Sequence, residues 1–179
     1  VIVTGGGTGI GAETARSFAA AGASRIALLG RRVKPLLYIK AAIERDFPSA
    51  EVFIASTDIT KKSEVDVAFE EFLGERKVDV LVSNAGSMEP SESVEDENEH
   101  TFTEFIETSI QGSFFVAQAF LRHAAANAVA INLSSSAAHW NFGLNFAACS
   151  IAKIAVVRLW DSLGFAHPEL SVFHIQPGV

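Results

Sequence analysis

Cysteine and tyrosine are almost missing from this chain: it has one of each, Cys149 and Tyr38, in 179 residues. A lone thiol excludes an internal disulfide and leaves no second sulfur for a metal site, which points to a reducing compartment such as the cytoplasm. Long apolar runs are missing too. The runs present are short and separated by polar stretches, so no segment reads as a bilayer span and no membrane partner is expected. Basic residues are few and scattered, 14 Lys and Arg against 21 Asp and Glu, for a net charge of −7. Without a basic face, nucleic acid is not an expected partner, and the acidity mainly favours solubility. The five histidines show no paired ligand spacing, so no metal is expected. Repeats, low-complexity blocks and linkers are absent, and no signal peptide is visible, although the first residue already reads as part of a strand, so a leader could precede it.

What is present is an alternation. "VIVTGGGTGIGAETARSFAAAG" reads as a buried strand, a glycine turn and an amphipathic helix closed by Gly22. Apolar runs follow at 24–30, 50–56, 78–86, 127–135 and 170–178, with helices expected at 35–47, 61–74, 102–125 and 146–166. The acidic, Ser-rich stretch 87–101 reads as a solvated loop and helix start. Strands alternating with helices of this length predict an α/β fold: a doubly wound parallel sheet in three layers, α/β/α. Residues 1–179 are read as one domain, with one sizeable core and about 70% of the unfolded surface buried. The chain begins inside its first strand and stops just past its sixth, so it is expected to be a piece truncated at both ends, without a final strand and substrate segment.

The glycine turn is the first chemical signal. In "TGGGTGIG", Thr4, Gly5, Gly9 and Gly11 precede a helix, with Thr8 and Ile10 between the last glycines. A pyrophosphate can approach main-chain N–H groups at a helix N-terminus only where no Cβ holds it off. The alternative is a tight strand-to-helix connection without a ligand. At the end of the second strand, an acid would bond a ribose 2′-hydroxyl, whereas a cation suits a 2′-phosphate. Here Gly30 stands in the acid's place and Arg31 and Arg32 follow. The expected cofactor is therefore NADP(H), with NAD(H) the second choice and Arg31 the direct partner.

At this point the chain resembles the classical short-chain dehydrogenase/reductase family, and the likeness runs over its whole length. The TGxxxGxG turn matches, "DIT" puts Asp58 and Ile59 where the family contacts adenine, and "SNAG" keeps Asn84, Ala85 and Gly86. "INLSSS" looks like the strand bearing the catalytic serine, assigned to Ser135, and Pro177 and Gly178 match the turn beside the nicotinamide. The resemblance implies a Rossmann-like fold and hydride transfer between NADP(H) and a small-molecule carbonyl or secondary alcohol. It also implies a homodimer or homotetramer, through the helices at 102–125 and 146–166. His139, Trp140 and Phe142 fall where the family lines its substrate pocket, and ordinary loop packing explains them as well.

Two catalytic positions depart from the family. Its chemistry uses a tyrosine four residues before a lysine, on one helix face. Lys153 fits the lysine, but Cys149 stands in the tyrosine's place, and Ser109 stands where the family's relay asparagine would be. Tyr38 is on the adenosine side and cannot substitute, and Ser150 should point away from Lys153. A thiol is shorter than a phenol by a ring. Beside Lys153 it is expected to ionise to a thiolate, which cannot donate a proton. Impaired catalysis is one reading, with a reactive or redox-sensing thiol, or an inert buried one, as alternatives for Cys149. A nucleotide-binding module without turnover is the rival for the whole chain.

Overall fold

Runs rich in Val, Ile, Leu and Ala have no polar face, so they are stable only as strands covered on both sides, and the polar helices between them supply the cover. The computed structural model describes residues 1–86, 92–140 and 144–177. In it the chain alternates as β1 (Ile2–Thr4), α1 (Gly9–Ala20), β2 (Arg25–Gly30), α2 (Val33–Asp46), β3 (Glu51–Ser56), α3 (Lys62–Leu73) and β4 (Val78–Ser83). Then follow α4 (Glu99–Phe105), a π-helical turn (Ile106–Gln111), α5 (Gly112–His123), β5 (Ala124–Leu133), α6 (Ala147–Ala166) and β6 (Ser171–Ile175). The sheet has six strands in the order β3-β2-β1-β4-β5-β6, and every pairing is parallel. The expected doubly wound, Rossmann-like architecture is therefore the observed one.

The sheet separates two cores. On one face, α1 and α2 bury Ala15, Leu36 and Ile43 against Val3, Ile26, Leu28 and Val82. On the other, α3, α5 and α6 bury Phe69, Phe120 and Trp160 against Ile2, Leu29, Leu81 and Ala130. Phe120 and Trp160 meet edge to face at 6.4 Å. Each fully buried large side chain contributes about 1.5–3 kcal/mol.

The middle of the chain differs in detail from the sequence reading. The single helix expected over 102–125 starts earlier, at Glu99, where the Asn98 side chain accepts from the His100 N–H and caps the first turn. It then passes through the π turn before α5, and it stops at His123 because Ala124 already pairs with Val78. Between that pair and Val80–Val129 the register shifts, and Asn127 takes a positive φ of 62°, which asparagine tolerates better than most residues. Neither a π turn nor a register shift leaves a trace in hydrophobic periodicity. Of the acidic stretch, residues 87–91 lie outside the described residues, as do Phe142 and Gly178. Among the described residues no helix is long and apolar enough to cross a membrane.

Candidate functional site

In a sheet of this order the chain leaves β1 in one direction for β2 and β3, then returns to lay β4, β5 and β6 on the other side. Helices on the two sides of that reversal diverge, and a crevice opens beyond the carboxyl ends of β1 and β4. The glycine turn and the "SNAG" segment meet there.

Thr4, at the end of β1, is 1% exposed. Its hydroxyl accepts the main-chain N–H groups of Asn84 and Ala85, each at 3.0 Å, and donates to the Val82 carbonyl at 3.4 Å. Asn84 returns the tie: its Nδ2 donates to the Thr4 carbonyl at 2.9 Å and to the Gly5 carbonyl at 3.4 Å. Both side chains are thus engaged within the protein, where they clamp the turn against β4. Gly5 has φ of +67°, and a Cβ on it would sit 2.7 Å from Asn84 Nδ2. At Gly11, inside the first turn of α1, a Cβ would collide with the Gly5 carbonyl oxygen and lie 2.6 Å from Asn84 Nδ2. Gly9 faces open space and is glycine because of its φ of +54°. The result is a bare main-chain cradle at the N-terminus of α1, where Ile10 is half exposed. Such a cradle fits a diphosphate.

Beside it, Arg31 and Arg32 are exposed after β2, and Ser56 Oγ donates to the Arg31 carbonyl at 3.2 Å. Burial alone would raise the Asp58 carboxyl, but hydrogen bonds from the side chain and main chain of Thr60, with Lys61 and Arg31 nearby, hold it below the usual carboxylate range. Ile59 is 6% exposed and packs on Gly112, so its side chain is part of the core.

The other half of the crevice comes from β5 and α6. Lys153 extends its ammonium to the Leu133 carbonyl at 2.7 Å and lies 4.0 Å from where a Gly86 Cβ would be. Burial lowers its pKa, and neighbouring Cys149 opposes that shift. Ser135 Oγ accepts from Ala137 N–H at 3.2 Å and caps the 3-10 turn Ser136–Ala138, which packs on α6. As an acceptor there it keeps its own hydrogen for another partner. Cys149, one turn before Lys153, packs against Phe105, Ala148 and Ala152. Its expected ionisation is corrected here: burial pushes the thiol up, and the lysine only partly offsets this, so the net shift favours the protonated form. Ser109 is buried in the π turn. His139 and Trp140 are exposed, and Pro177 follows β6. Tyr38 is 75% exposed on α2, away from this half of the crevice.

Gly86, after β4, and Lys153, on α6, thus come together across the crevice. Sequence reasoning missed the Leu133 carbonyl, because a main-chain acceptor has no residue signature, and the clamp between Thr4 and Asn84, because both had been read as ligand contacts.

Known proteins are similar to the chain in sequence and in fold. A sorbose reductase of Schizosaccharomyces pombe is 37% identical over 126 residues, covering 68% of this chain and 48% of the relative. A short chain dehydrogenase/reductase of Aspergillus novofumigatus is 32% identical over 186 residues, covering 99% of this chain and 63% of the relative. The chain therefore spans about half to two thirds of the length of these two relatives. Among solved structures, an alcohol dehydrogenase from the archaeon Thermococcus sibiricus, complexed with 5-hydroxy-NADP, superposes with a TM-score of 0.92 at 27% identity, over 99% of this chain and 75% of that one. A 7α-hydroxysteroid dehydrogenase complexed with NADH and 7-oxo glycochenodeoxycholic acid gives 0.87 at 28% identity, over 99% and 69%. The family model for short chain dehydrogenase matches residues 1–179, and with the strand order and these relatives in agreement, the chain belongs to the short-chain dehydrogenase/reductase family.

Proposed function

We propose that this chain carries the NADP(H)-binding domain of a short-chain oxidoreductase that interconverts a small-molecule carbonyl and a secondary alcohol. The observation that supports it most is the cradle at Gly5, Gly9 and Gly11, with the Lys153 ammonium beside Gly86. In this reading Thr4 and Asn84 shape the turn, while main-chain N–H groups from Thr8 to Gly11 hold the diphosphate. Arg31 takes the 2′-phosphate, Asp58 and Ile59 border the adenine, and Ala85, Gly86, Pro177 and Gly178 border the nicotinamide. The bound cofactor supplies or accepts a hydride at its nicotinamide. Lys153 holds the adjacent ribose by its remaining N–H donors, and Ser135 donates its free hydrogen to the substrate oxygen.

Cys149 occupies the place where the family carries its proton donor. A neutral thiol retains a proton, but without a ring it stops several ångströms short of where a phenolic oxygen would be. Ser109 is likewise shorter than the asparagine it replaces. Turnover is therefore expected to be slow, since a well-placed general acid is typically worth about 10²–10⁴ in rate. The same two replacements favour a second reading, in which the domain binds the nucleotide without turning over. Exposed apolar residues Phe102, Phe114, Ile151 and Ile154 on α4, α5 and α6 support a pairing of these helices with a second copy.

Calorimetry with NADPH and NADH, followed by rate measurements over a panel of carbonyls, tests the proposal. NADPH is expected to bind about 10–100-fold more tightly than NADH, the worth of charge-assisted hydrogen bonds from Arg31. Cys149→Tyr is expected to raise the rate by about 10²–10⁴. Binding without turnover in either form would favour the second reading, and failure to bind either nucleotide would end both.

A further inference from the structure

Outside the crevice, one chain of polar side chains crosses from the sheet to α6. Asn132 on β5 is 2% exposed, and its Nδ2 donates to His174 Nδ1 on β6 at 3.0 Å. With Nδ1 accepting, the ring's hydrogen is on Nε2, which donates to Asp161 Oδ1 on α6, also at 3.0 Å. Asn132 and His174 are register partners, so both side chains stand on the same face of the sheet. That face is the one α6 covers, as Val172, two residues before His174, packs in the same core as Val156 and Trp160. The helix approaches β6 closely just beyond Asp161, where a Cβ on Gly164 would be 3.1 Å from Val172 Cγ2.

The residue after Asn132 is Leu133, whose carbonyl receives the Lys153 ammonium. One short stretch of β5 therefore holds α6 twice: at Lys153 directly and, two turns further along the helix, at Asp161 through His174. Val156, Trp160 and Leu163 of α6 pack on the sheet through apolar burial. Burial of this kind is non-directional and tolerates small slides of a helix along a sheet, whereas a hydrogen-bonded imidazole does not.

We propose that Asn132, His174 and Asp161 form a positioning network that fixes the placement of α6 on β5 and β6, and with it the seat of Lys153 on the Leu133 carbonyl. His174 is a positioning residue in this network. Its ring is engaged by Asn132 and Asp161, so it acts through α6. The catalytic consequence rests on the reading of Lys153 given above, but the seating itself does not, because it belongs to the protein alone.

The test is the acylation rate of Lys153 by a small amine-reactive reagent, read by peptide mass spectrometry on the intact protein without nucleotide, with exposed Lys62 as internal reference. His174→Ala and Asp161→Ala are each expected to raise the Lys153 rate several-fold relative to Lys62. Asp161→Asn keeps an acceptor for Nε2–H and is expected to return the rate to that of the parent. Circular dichroism checks the fold of each variant. Should His174→Ala not fold, the two Asp161 variants, altered on a half-exposed helix face, still decide the matter. An unchanged Lys153 rate in folded His174→Ala or in Asp161→Ala overturns the proposal, and so does an Asp161→Asn variant that behaves like Asp161→Ala. Absence of turnover in the parent protein, with Lys153 protected there and more reactive in His174→Ala and Asp161→Ala, would count against the proposed function and leave the network standing.

Discussion

Cys149 and Lys153 pull against each other in a way that is open to titration. Burial raises the thiol's pKa and the lysine lowers it, with burial the larger effect. Because the thiolate is the species that alkylates, the rate of Cys149 with iodoacetamide near neutral pH should fall below that of a free cysteine and climb only at more alkaline pH. Lys153→Met removes the one favourable charge, so its alkylation profile should move further toward high pH. A shift toward low pH in that variant would show that the charge at Lys153 is not what stabilises the thiolate. Legibility at this scale was uneven. The identity and spacing of Cys149 and Lys153 are plain in the sequence, but the balance between desolvation and charge depends on packing with Phe105, which comes from α4, far along the chain.

Among elements, the turn between β1 and α1 is the least forgiving. A methyl at Gly11 would strike main chain at Gly5, which cannot swing aside as a side-chain tip can. Gly11→Ala is therefore expected to displace the turn, break the Asn84 bonds to Thr4 and Gly5, and weaken nicotinamide nucleotide binding by at least about 100-fold, since a misplacement of about 1 Å can cost that much. Calorimetry measures the loss, and unchanged affinity would mean that the cradle is not the binding surface. This turn could be read from sequence because its glycines answer to steric limits that act within a few residues. The π turn at Ile106–Gln111 and the register shift in β5 could not, because both are settled by how α5 and β5 meet the strands already laid down. The helix expected over 102–125 was accordingly right in kind, with its ends at Glu99 and His123 and a π turn inside it.

For the whole molecule, the largest stake is in the core beneath α3, α5 and α6. Trp160 is completely buried and meets Phe120 edge to face. Trp160→Ala should cost about 3–5 kcal/mol, measured by chemical denaturation, as large-to-small replacements of buried aromatics do. A loss under 1 kcal/mol would mean that the core closes over the gap. The strand order was legible as a class, because six apolar runs alternating with helices admit few other arrangements. The partition of buried residues into two sets was not, since alternation along a strand covered on both faces carries no mark of which side is which. That partition makes the sheet a bulkhead. Leu36, on α2, and Trp160, on α6, belong to compartments that share a wall but, among the described residues, no member. Injuries inflicted in both compartments at once should simply sum, so that a doubly wounded protein is no frailer than its two single wounds foretell.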